Sequence, residues 1–386
     1  MGETISLHSI CAWTFHAGKG GFTPANIRPS WEEHSFNTIA KIELIREKII
    51  PRLPEYIQIG FEMHYDYEFN EDSAEAIADA LMKAGIWLAL TTPGAHRYFA
   101  YGGIASLDPS ERAGAQDYSR KTVELTCGYL RRAWHPDPEK APTLVIWNGS
   151  FGYDIATPTL KRMYQNLKEG MANLCQYGDD LDRGLYWAIE PKPNEGHPAM
   201  LLPTVASAIV FWIKVAADFN ISLERKGVNK EFGHSEMIGL DVLHDTVEEI
   251  ENNMLIHMHV NSQGYNDGII LGGPGKFDID HGVRVCGTNI ALASLVEESG
   301  YNRWKGHDIQ PRPYDNEDQA TDRVVRSILS WEACARSARE LDYAELATLL
   351  EHRQTAQAED LMREAVINAQ QHFNGLLTDS ARHVNL

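Results

Sequence analysis

A carboxylate and an amine stand two residues apart at the end of a short apolar run. Residues 185–189 read Leu-Tyr-Trp-Ala-Ile and predict a buried strand, which Glu190 and Lys192 follow. Because residues i and i+2 of a strand point to the same face, both side chains would face one cavity. Pro191 and Pro193 restrict the backbone and hold the pair extended. A carboxylate that can ligate a metal, beside an ammonium that can polarise a carbonyl, indicates catalysis; a salt bridge at a strand end is the alternative.

Short apolar runs alternate with helical patterns along most of the chain. The strand candidates are 5–13, 56–62, 86–91, 143–148, 185–190, 226–230, 254–260 and 305–309. Between them apolar residues recur at helical spacing, as at Val205, Ile209 and Trp212. Strands that alternate with helices in this way predict a parallel sheet closed as a (β/α)8 TIM barrel. A doubly wound open sheet is the alternative, but no GxGxxG motif follows the first strand.

The last part of the chain has a different pattern. Residues 1–315 contain the strand candidates and predict the catalytic barrel domain, whereas residues 316–386 are helical and polar. Apolar positions such as Leu361, Val366 and Ile367 need a partner surface. We therefore expect a C-terminal helical extension that acts as an oligomerisation arm in a homo-oligomer, a dimer or a tetramer.

The amino-acid composition excludes some classes of binding partner. Thirty-five Lys and Arg against 54 Asp and Glu give a net charge of −19, which provides no basic surface for nucleic acid or an anionic membrane. Five dispersed cysteines without a CxxC motif are typical of reduced thiols in the cytoplasm. The N-terminus lacks the basic region of a signal peptide, and no apolar run approaches the ~20 residues of a membrane span. We expect a cytoplasmic protein with a small-molecule substrate and no nucleic-acid or membrane partner.

Chemistry in a barrel of this kind lies at the carboxyl ends of the strands. These ends offer oxygen and imidazole groups without a thiolate, a set that suits Mg²⁺, Mn²⁺ or Co²⁺. His257 and His259 share a face, so one can ligate while the other orients it or fills a layer of the barrel. Each group alone could be a core, capping or turn residue, but together they predict a metal centre. The residues that the strand ends offer are Trp13, Glu62, His64, Asp66, His96, Trp147, Glu190, Lys192, Glu231, His234, His257, His259, Asp267 and Asp308.

Several of these stretches resemble the xylose isomerase family. Glu190-Pro-Lys-Pro-Asn-Glu195 resembles its hallmark strand, and Asn229-Lys-Glu-Phe-Gly-His-Ser-Glu-Met-Ile-Gly-Leu240 resembles its next metal strand. Residues 255–263 and 305–311 are similar to two further family motifs, so the resemblance covers most of residues 5–340. It implies a TIM-barrel aldose–ketose isomerase that uses two divalent cations and moves a hydride between C1 and C2 of a pentose, hexose or deoxyhexose.

The resemblance also implies a role for each matching residue. Glu190 and Asp308 would hold the substrate-side metal, Glu231 would bridge both metals, and His234 and Asp267 would hold the second. The predicted catalytic residues are Lys192, at O1 of the sugar, and His64, a ring-opening histidine paired with an aspartate that corresponds here to Asp66. The predicted substrate contacts are Trp13 and Trp147 as aromatic walls, Phe22 as an aromatic lent to a neighbouring subunit, His96 and His257.

Two departures from the family pattern leave the function open. His259 stands where xylose isomerases have an aspartate and L-rhamnose isomerases have a histidine, and Ile269 replaces a second-metal aspartate. One metal held by Glu190, Glu231, His259 and Asp308 would resemble the ketose 3-epimerases of the superfamily, in which two carboxylates exchange a proton. A sugar-binding barrel without catalytic activity is the third alternative.

Overall fold

Eight parallel strands form the centre of the molecule. The structure, a computed structural model, describes residues 5–15, 37–147, 159–193, 200–262, 281–311 and 315–384. Within these residues the barrel strands are β1 (Ser6–Cys11), β2 (Ile57–Tyr65), β3 (Trp87–Pro93), β4 (Thr143–Trp147), β5 (Tyr186–Glu190), β6 (Lys226–Glu231), β7 (Leu255–His259) and β10 (Lys305–His307), while β8 (Asn261–Ser262) and β9 (His281–Gly282) form a short antiparallel ribbon. The barrel strands close in the order β1-β10-β7-β6-β5-β4-β3-β2.

The closed barrel confirms the predicted fold class. Each of the eight strand candidates overlaps a barrel strand, and the sheet is closed, so the alternative of an open, doubly wound sheet is wrong. Helices separate the strands and cover the outside of the barrel. They are α1 (Thr38–Lys48), α2 (Ala74–Ala84), α3 (Pro109–Cys127), α4 (Leu160–Leu181), α5 (Val205–Phe219), α6 (Phe232–Met237), α7 (Val242–Glu251), α8 (Gly287–Glu298), α9 (Glu317–Glu340), α10 (Tyr343–Glu351) and α11 (Thr355–Val384).

Helix α5 shows how the sequence builds this outer layer. Thr204 and Ser207 form a reciprocal capping box at its start, which satisfies backbone N–H groups that have no partner within the helix. The apolar residues at helical spacing are buried against the barrel, and the Trp212 indole N–H donates to the Gly227 carbonyl of β6 at 2.5 Å. The periodic residues therefore hold β6, which carries Glu231, against its covering helix.

Helix α9 packs directly on the barrel. It lies in the stretch predicted to form a C-terminal extension from residue 316, and its Ser327 hydroxyl lies 2.8 Å from Nδ1 of His307 and its Glu332 carboxylate lies 2.8 Å from Nε2 of His8. These bonds tie α9 to β10 and β1, the two strands that close the barrel. Helix α9 therefore covers the barrel where it closes, and the boundary at residue 316 stays a prediction.

The remaining helices fold back onto the same domain. Ala365 and Ala369 of α11 are buried in one cluster with Trp331 and Cys334 of α9. That α10 and α11 act as an oligomerisation arm stays a prediction. The five cysteines are free, as expected, and no helix in the described ranges is long and apolar enough to cross a membrane.

Candidate active site

Three carboxylates surround one histidine at the carboxyl ends of β5, β6, β7 and β10. His259 Nδ1 lies 3.1 Å from Glu231 Oε2, 3.6 Å from Glu190 Oε2 and 3.9 Å from Asp308 Oδ2. His259, Glu231 and Asp308 are buried, and the Glu190 side chain is 11% exposed. The structure therefore brings together four of the six predicted metal ligands, contributed by four neighbouring strands.

Neutral donors orient each of the three carboxylates. Asn229 Nδ2 donates to Glu190 Oε2 at 2.7 Å, and Asn261 Nδ2 donates to Glu231 Oε1 at 3.0 Å. The indole Nε1 of Trp13, in the short helical turn Ala12–Phe15, donates to Asp308 Oδ1 at 2.8 Å. These bonds fix the oxygens in place without neutralising their charge.

The electrostatics of this cluster favour a bound cation. Burial, followed by the charge of Glu231, raises the pKa of Glu190. Burial lowers the pKa of His259, but the charge of Glu62 and hydrogen bonds to Glu231 and Glu62 outweigh it and leave this pKa well above its usual value. Ligand atoms of Glu231, His259 and Asp308 lie within 4.8 Å of one another. Because buried carboxylates repel one another and oxygen with imidazole is the donor set of Mn²⁺, Mg²⁺ and Co²⁺, the residues fit a divalent metal.

His234 extends the cluster on the side of Glu231. Its Nε2 lies 3.1 Å from Glu231 Oε1, and its Nδ1 lies 3.0 Å from the carbonyl oxygen of Pro191. Since a carbonyl only accepts, it fixes the N–H on Nδ1 and leaves the Nε2 lone pair for a ligand. Glu190, Glu231 and His234 form a second group with ligand atoms within 4.8 Å. Asp267, the remaining predicted ligand, and Ile269 lie outside the described residues.

The structure places Glu68 beside His64 and directs the Asp66 carboxylate to a tyrosine, while the catalytic roles of His64 and Asp66 stay predictions. Asp66 has a left-handed backbone, with φ of 59°, which turns its carboxylate outward to accept from the Tyr98 hydroxyl at 2.8 Å. The buried Glu68 takes its place: its Oε2 lies 3.3 Å from His64 Nδ1. Sequence reasoning missed Glu68, whose only signal is its spacing of four residues from His64.

Aromatic side chains and Lys192 lie on the same rim. The ring of Trp13 packs edge-on against that of His64, with centroids 4.4 Å apart. Lys192 is 3% exposed, and its Nζ lies 4.9 Å from the ring centroid of Trp147. His96 follows β3 in the turn Ala95–Arg97, but its side chain and Phe22 lie outside what the structure describes.

His257 lies one layer below His259, inside the barrel. It is completely buried, and its Nε2 is 3.1 Å from Glu62 Oε1. This position agrees with the alternative that His257 fills a layer of the barrel, and a contact of His257 with the substrate stays a prediction. Glu62 is also completely buried and lies 2.8 Å from His259. The sequence places Glu62 at a strand end without assigning it a role, and its alternation with His64 on β2 is the available signal.

Known proteins resemble this chain in part of its sequence and in its fold. No protein-family model matches the chain. A xylose isomerase of Thermus caldophilus is 29% identical over 208 residues, which are 53% of this chain and 47% of the relative. The chain thus spans about half the length of the curated relatives it matches. In sequence the chain is similar to xylose isomerases, and its closed (β/α)8 barrel is a TIM-barrel fold.

Solved structures of sugar epimerases share the fold of this barrel. An L-ribulose 3-epimerase superimposes with a TM-score of 0.59 at 13% identity, covering 89% of this chain and 98% of that one. A D-psicose 3-epimerase solved in the presence of D-fructose gives a TM-score of 0.55 at 13% identity, covering 83% and 96%. At these identities the likeness establishes the fold alone.

Proposed function

We propose that this protein is a divalent-cation-dependent aldose–ketose isomerase that acts on a small monosaccharide. The observation that carries the proposal is the group Glu190, Glu231, His259 and Asp308 at one barrel rim, with the ammonium-bearing Lys192 two residues beyond Glu190. The similarity to a curated xylose isomerase supports the same reaction class.

The cluster supplies the ligands for one cation and part of a second site. Glu190, Glu231, His259 and Asp308 would hold the first, and Glu231 and His234, with Asp267, would hold the second. A divalent cation bound there acts as a Lewis acid on the substrate carbonyl and lowers the pKa of the neighbouring hydroxyl.

The other residues act on the sugar directly. His64, oriented by Glu68, exchanges a proton with the ring oxygen and the anomeric hydroxyl as the ring opens. Lys192 places its positive charge at O1, where negative charge develops while the hydride leaves C2 for C1 and the O2 proton is transferred to O1. Trp13 and Trp147 wall the site and exclude water, which strengthens these electrostatic interactions.

A ketose 3-epimerase is the second candidate. It is favoured by the compact set Glu190, Glu231, His259 and Asp308, which can hold a single cation, and by the fold shared with two 3-epimerases. In that reaction two carboxylates on opposite faces of the sugar remove and return a proton at C3. The presence of Lys192, and of His234 oriented for a second cation, favours the isomerase.

Two measurements test the proposal. The protein is treated with EDTA, and a panel of aldopentoses, aldohexoses, deoxyhexoses and ketoses is assayed with Mn²⁺, Co²⁺ or Mg²⁺ added back. We expect aldose–ketose conversion that depends on the added cation. The reaction is then run in deuterated water, where a hydride shift leaves the transferred hydrogen mostly protium and proton exchange incorporates deuterium. C3 epimerisation with solvent deuterium would replace the isomerase by the epimerase, and cation binding with no turnover of any sugar would refute both.

A further inference from the structure

The two ring nitrogens of His259 face two different carboxylate environments. Nδ1 points to the cluster of Glu190, Glu231 and Asp308 at the rim, whereas Nε2 lies 2.8 Å from Oε2 of Glu62 beneath it. Glu62 and His259 are both buried, at 0% and 2% exposure. The imidazole therefore separates the candidate metal site from a carboxylate that belongs to the interior of the barrel.

We propose that Glu62 is a positioning residue that keeps the proton of His259 on Nε2 and thereby turns the Nδ1 lone pair toward the divalent cation. Both ring nitrogens of His259 face carboxylates, which only accept hydrogen bonds; a divalent cation among the rim carboxylates would take the place of the proton on Nδ1, and the remaining proton would stay on Nε2 against Glu62. A histidine that donates its other N–H to a carboxylate is a better and better-aimed metal ligand. This inference rests on the metal centre of the proposed function.

Glu62 is itself held in one orientation. Ser9 Oγ donates to its Oε1 at 2.5 Å, and His257 Nε2 lies 3.1 Å from the same oxygen. Cys11 Sγ lies 3.5 Å from Oε2, the oxygen that faces His259. Rotation of the carboxylate would break contacts with β1 and β7 together, so the acceptor under His259 cannot turn away.

The backbone of β10 makes room for this pair. A Cβ at Gly306 would lie 2.5 Å from Glu62 Oε1 and 2.5 Å from His259 Cδ2, closer than real Cβ contacts. Glycine at this position therefore lets the strand pass directly beside the hydrogen bond between Glu62 and His259. Side chains or backbone of β1, β2, β7 and β10 thus meet at one buried contact.

A direct metal role for Glu62 is the competing explanation. Ligand atoms of Cys11, Glu62 and His259 also lie within 4.8 Å of one another and could hold an ion themselves. In that case Cys11 would matter as much as Glu62. If Glu62 acts through His259, removal of the Cys11 thiol leaves the affinity for a cation nearly unchanged.

The test measures Co²⁺ binding to the full chain. The protein is first treated with EDTA, and binding of added Co²⁺ is then measured by visible absorbance and by calorimetry. The variants are E62Q, which keeps the shape and removes the charge, and C11A. E249Q is the matched control, since Glu249 is another completely buried glutamate, on α7, with no side-chain hydrogen bond among the described residues. We expect E62Q to bind Co²⁺ roughly 10- to 100-fold more weakly with an altered absorption band, and C11A and E249Q to bind like wild type.

A second readout reports the proton directly. In the Co²⁺-loaded protein the Nε2 proton of His259 gives a shifted NMR signal that disappears in deuterated water. We expect this signal to exchange slowly in wild type and fast in E62Q. Equal affinity and equal exchange in E62Q would overturn the inference, as would a loss in C11A as large as that in E62Q. Wild-type protein that binds no Co²⁺ would refute the proposed metal centre and, with it, this inference. Wild-type protein that binds Co²⁺ while E62Q binds it equally well would refute this inference alone.

Discussion

Oε2 of Glu68 contacts His64 twice, lying 3.3 Å from the ring Nδ1 and accepting the backbone N–H at 2.8 Å. The Glu68 side chain is 1% exposed, whereas that of His64 is 20% exposed. The His64 ring also contacts the Trp13 ring, with centroids 4.4 Å apart. A buried carboxylate thus orients a partly exposed imidazole, an arrangement that suits proton transfer to a substrate.

The first prediction concerns this pair. A positioned acid or base contributes roughly 10²–10⁴-fold to a rate, so H64N should lower kcat on a ring-closed sugar within that range. E68Q should lower kcat less, because the ring remains but loses its charged partner. We expect E68Q to have little further effect in the H64N background, since contacting residues that act together are not additive.

The double-mutant cycle also separates activity from folding. Glu68 Oε1 lies 3.8 Å from Nζ of the buried Lys41, so E68Q should lower the Tm in both backgrounds. Loss of activity in E68Q that adds fully to that of H64N would show that Glu68 does not act through His64.

The second prediction concerns Glu231, whose two oxygens face His259 and His234. E231Q should abolish the stabilisation by Mn²⁺ that we expect for wild type, because a ligand at 100 times its Kd adds about 2.7 kcal/mol to the free energy of unfolding. The measurement is the Tm of each protein with EDTA and with Mn²⁺. E249Q is again the control and should respond to Mn²⁺ like wild type. The same Mn²⁺-dependent rise in Tm for E231Q would count against a metal role for Glu231.

The third prediction concerns Lys192. Replacing a group that faces developing charge in the transition state typically costs 10²–10³-fold in kcat, so K192M should show roughly that loss with a much smaller change in KM. The steady-state kinetics of K192M, with its Mn²⁺ affinity measured in parallel, check this. A rise in KM alone would assign Lys192 to substrate binding rather than to the transition state.

The sequence predicts the fold well because its signals are local. Apolar runs and helical spacing locate the strands, and four ligands at successive strand ends, such as Glu190 and Glu231, converge because parallel strands end on one rim. What it misses depends on contacts across the barrel. The alternation along β2 does not show that Glu62 lies beside His259, 197 positions away in the chain. Nor does the sequence show that Asp66, with its left-handed backbone, bonds to Tyr98 while Glu68 lies beside His64.

The contacts of helix α9 with the barrel are not predicted from the sequence for the same reason. Helix α9 is polar in composition, yet its Ser327 and Glu332 are buried and bond to residues of the barrel strands. Glu332 contacts His8, 324 positions away in the chain, and Ser327 contacts His307, 20 positions away. Hydrophobic periodicity does not report such buried polar contacts.

The last prediction concerns this buried polar contact between α9 and β1. Burial and the charge of Lys305 lower the pKa of His8 to about 4, although Glu332 raises it. Burial raises the pKa of Glu332, but the hydrogen bond and charge of His8 outweigh it and lower this pKa to about 2. Both groups therefore bind a proton more readily in the unfolded chain than in the folded protein.

Because the pKa values of His8 and Glu332 are lower in the folded protein than in the unfolded chain, acid destabilises the folded protein. The contribution of His8 is fully present above pH 6.5 and is lost as the pH falls to about 4, and that of Glu332 is lost between pH 4.5 and about 2. Over the first window the shift of His8 corresponds to about 3 kcal/mol of unfolding free energy. Urea unfolding in EDTA at a series of pH values measures it, and H8Q should have a shallower slope between pH 6.5 and 4 than wild type. H352Q, which removes an exposed histidine after α10, should keep the wild-type slope; an unchanged slope in H8Q would contradict the assignment.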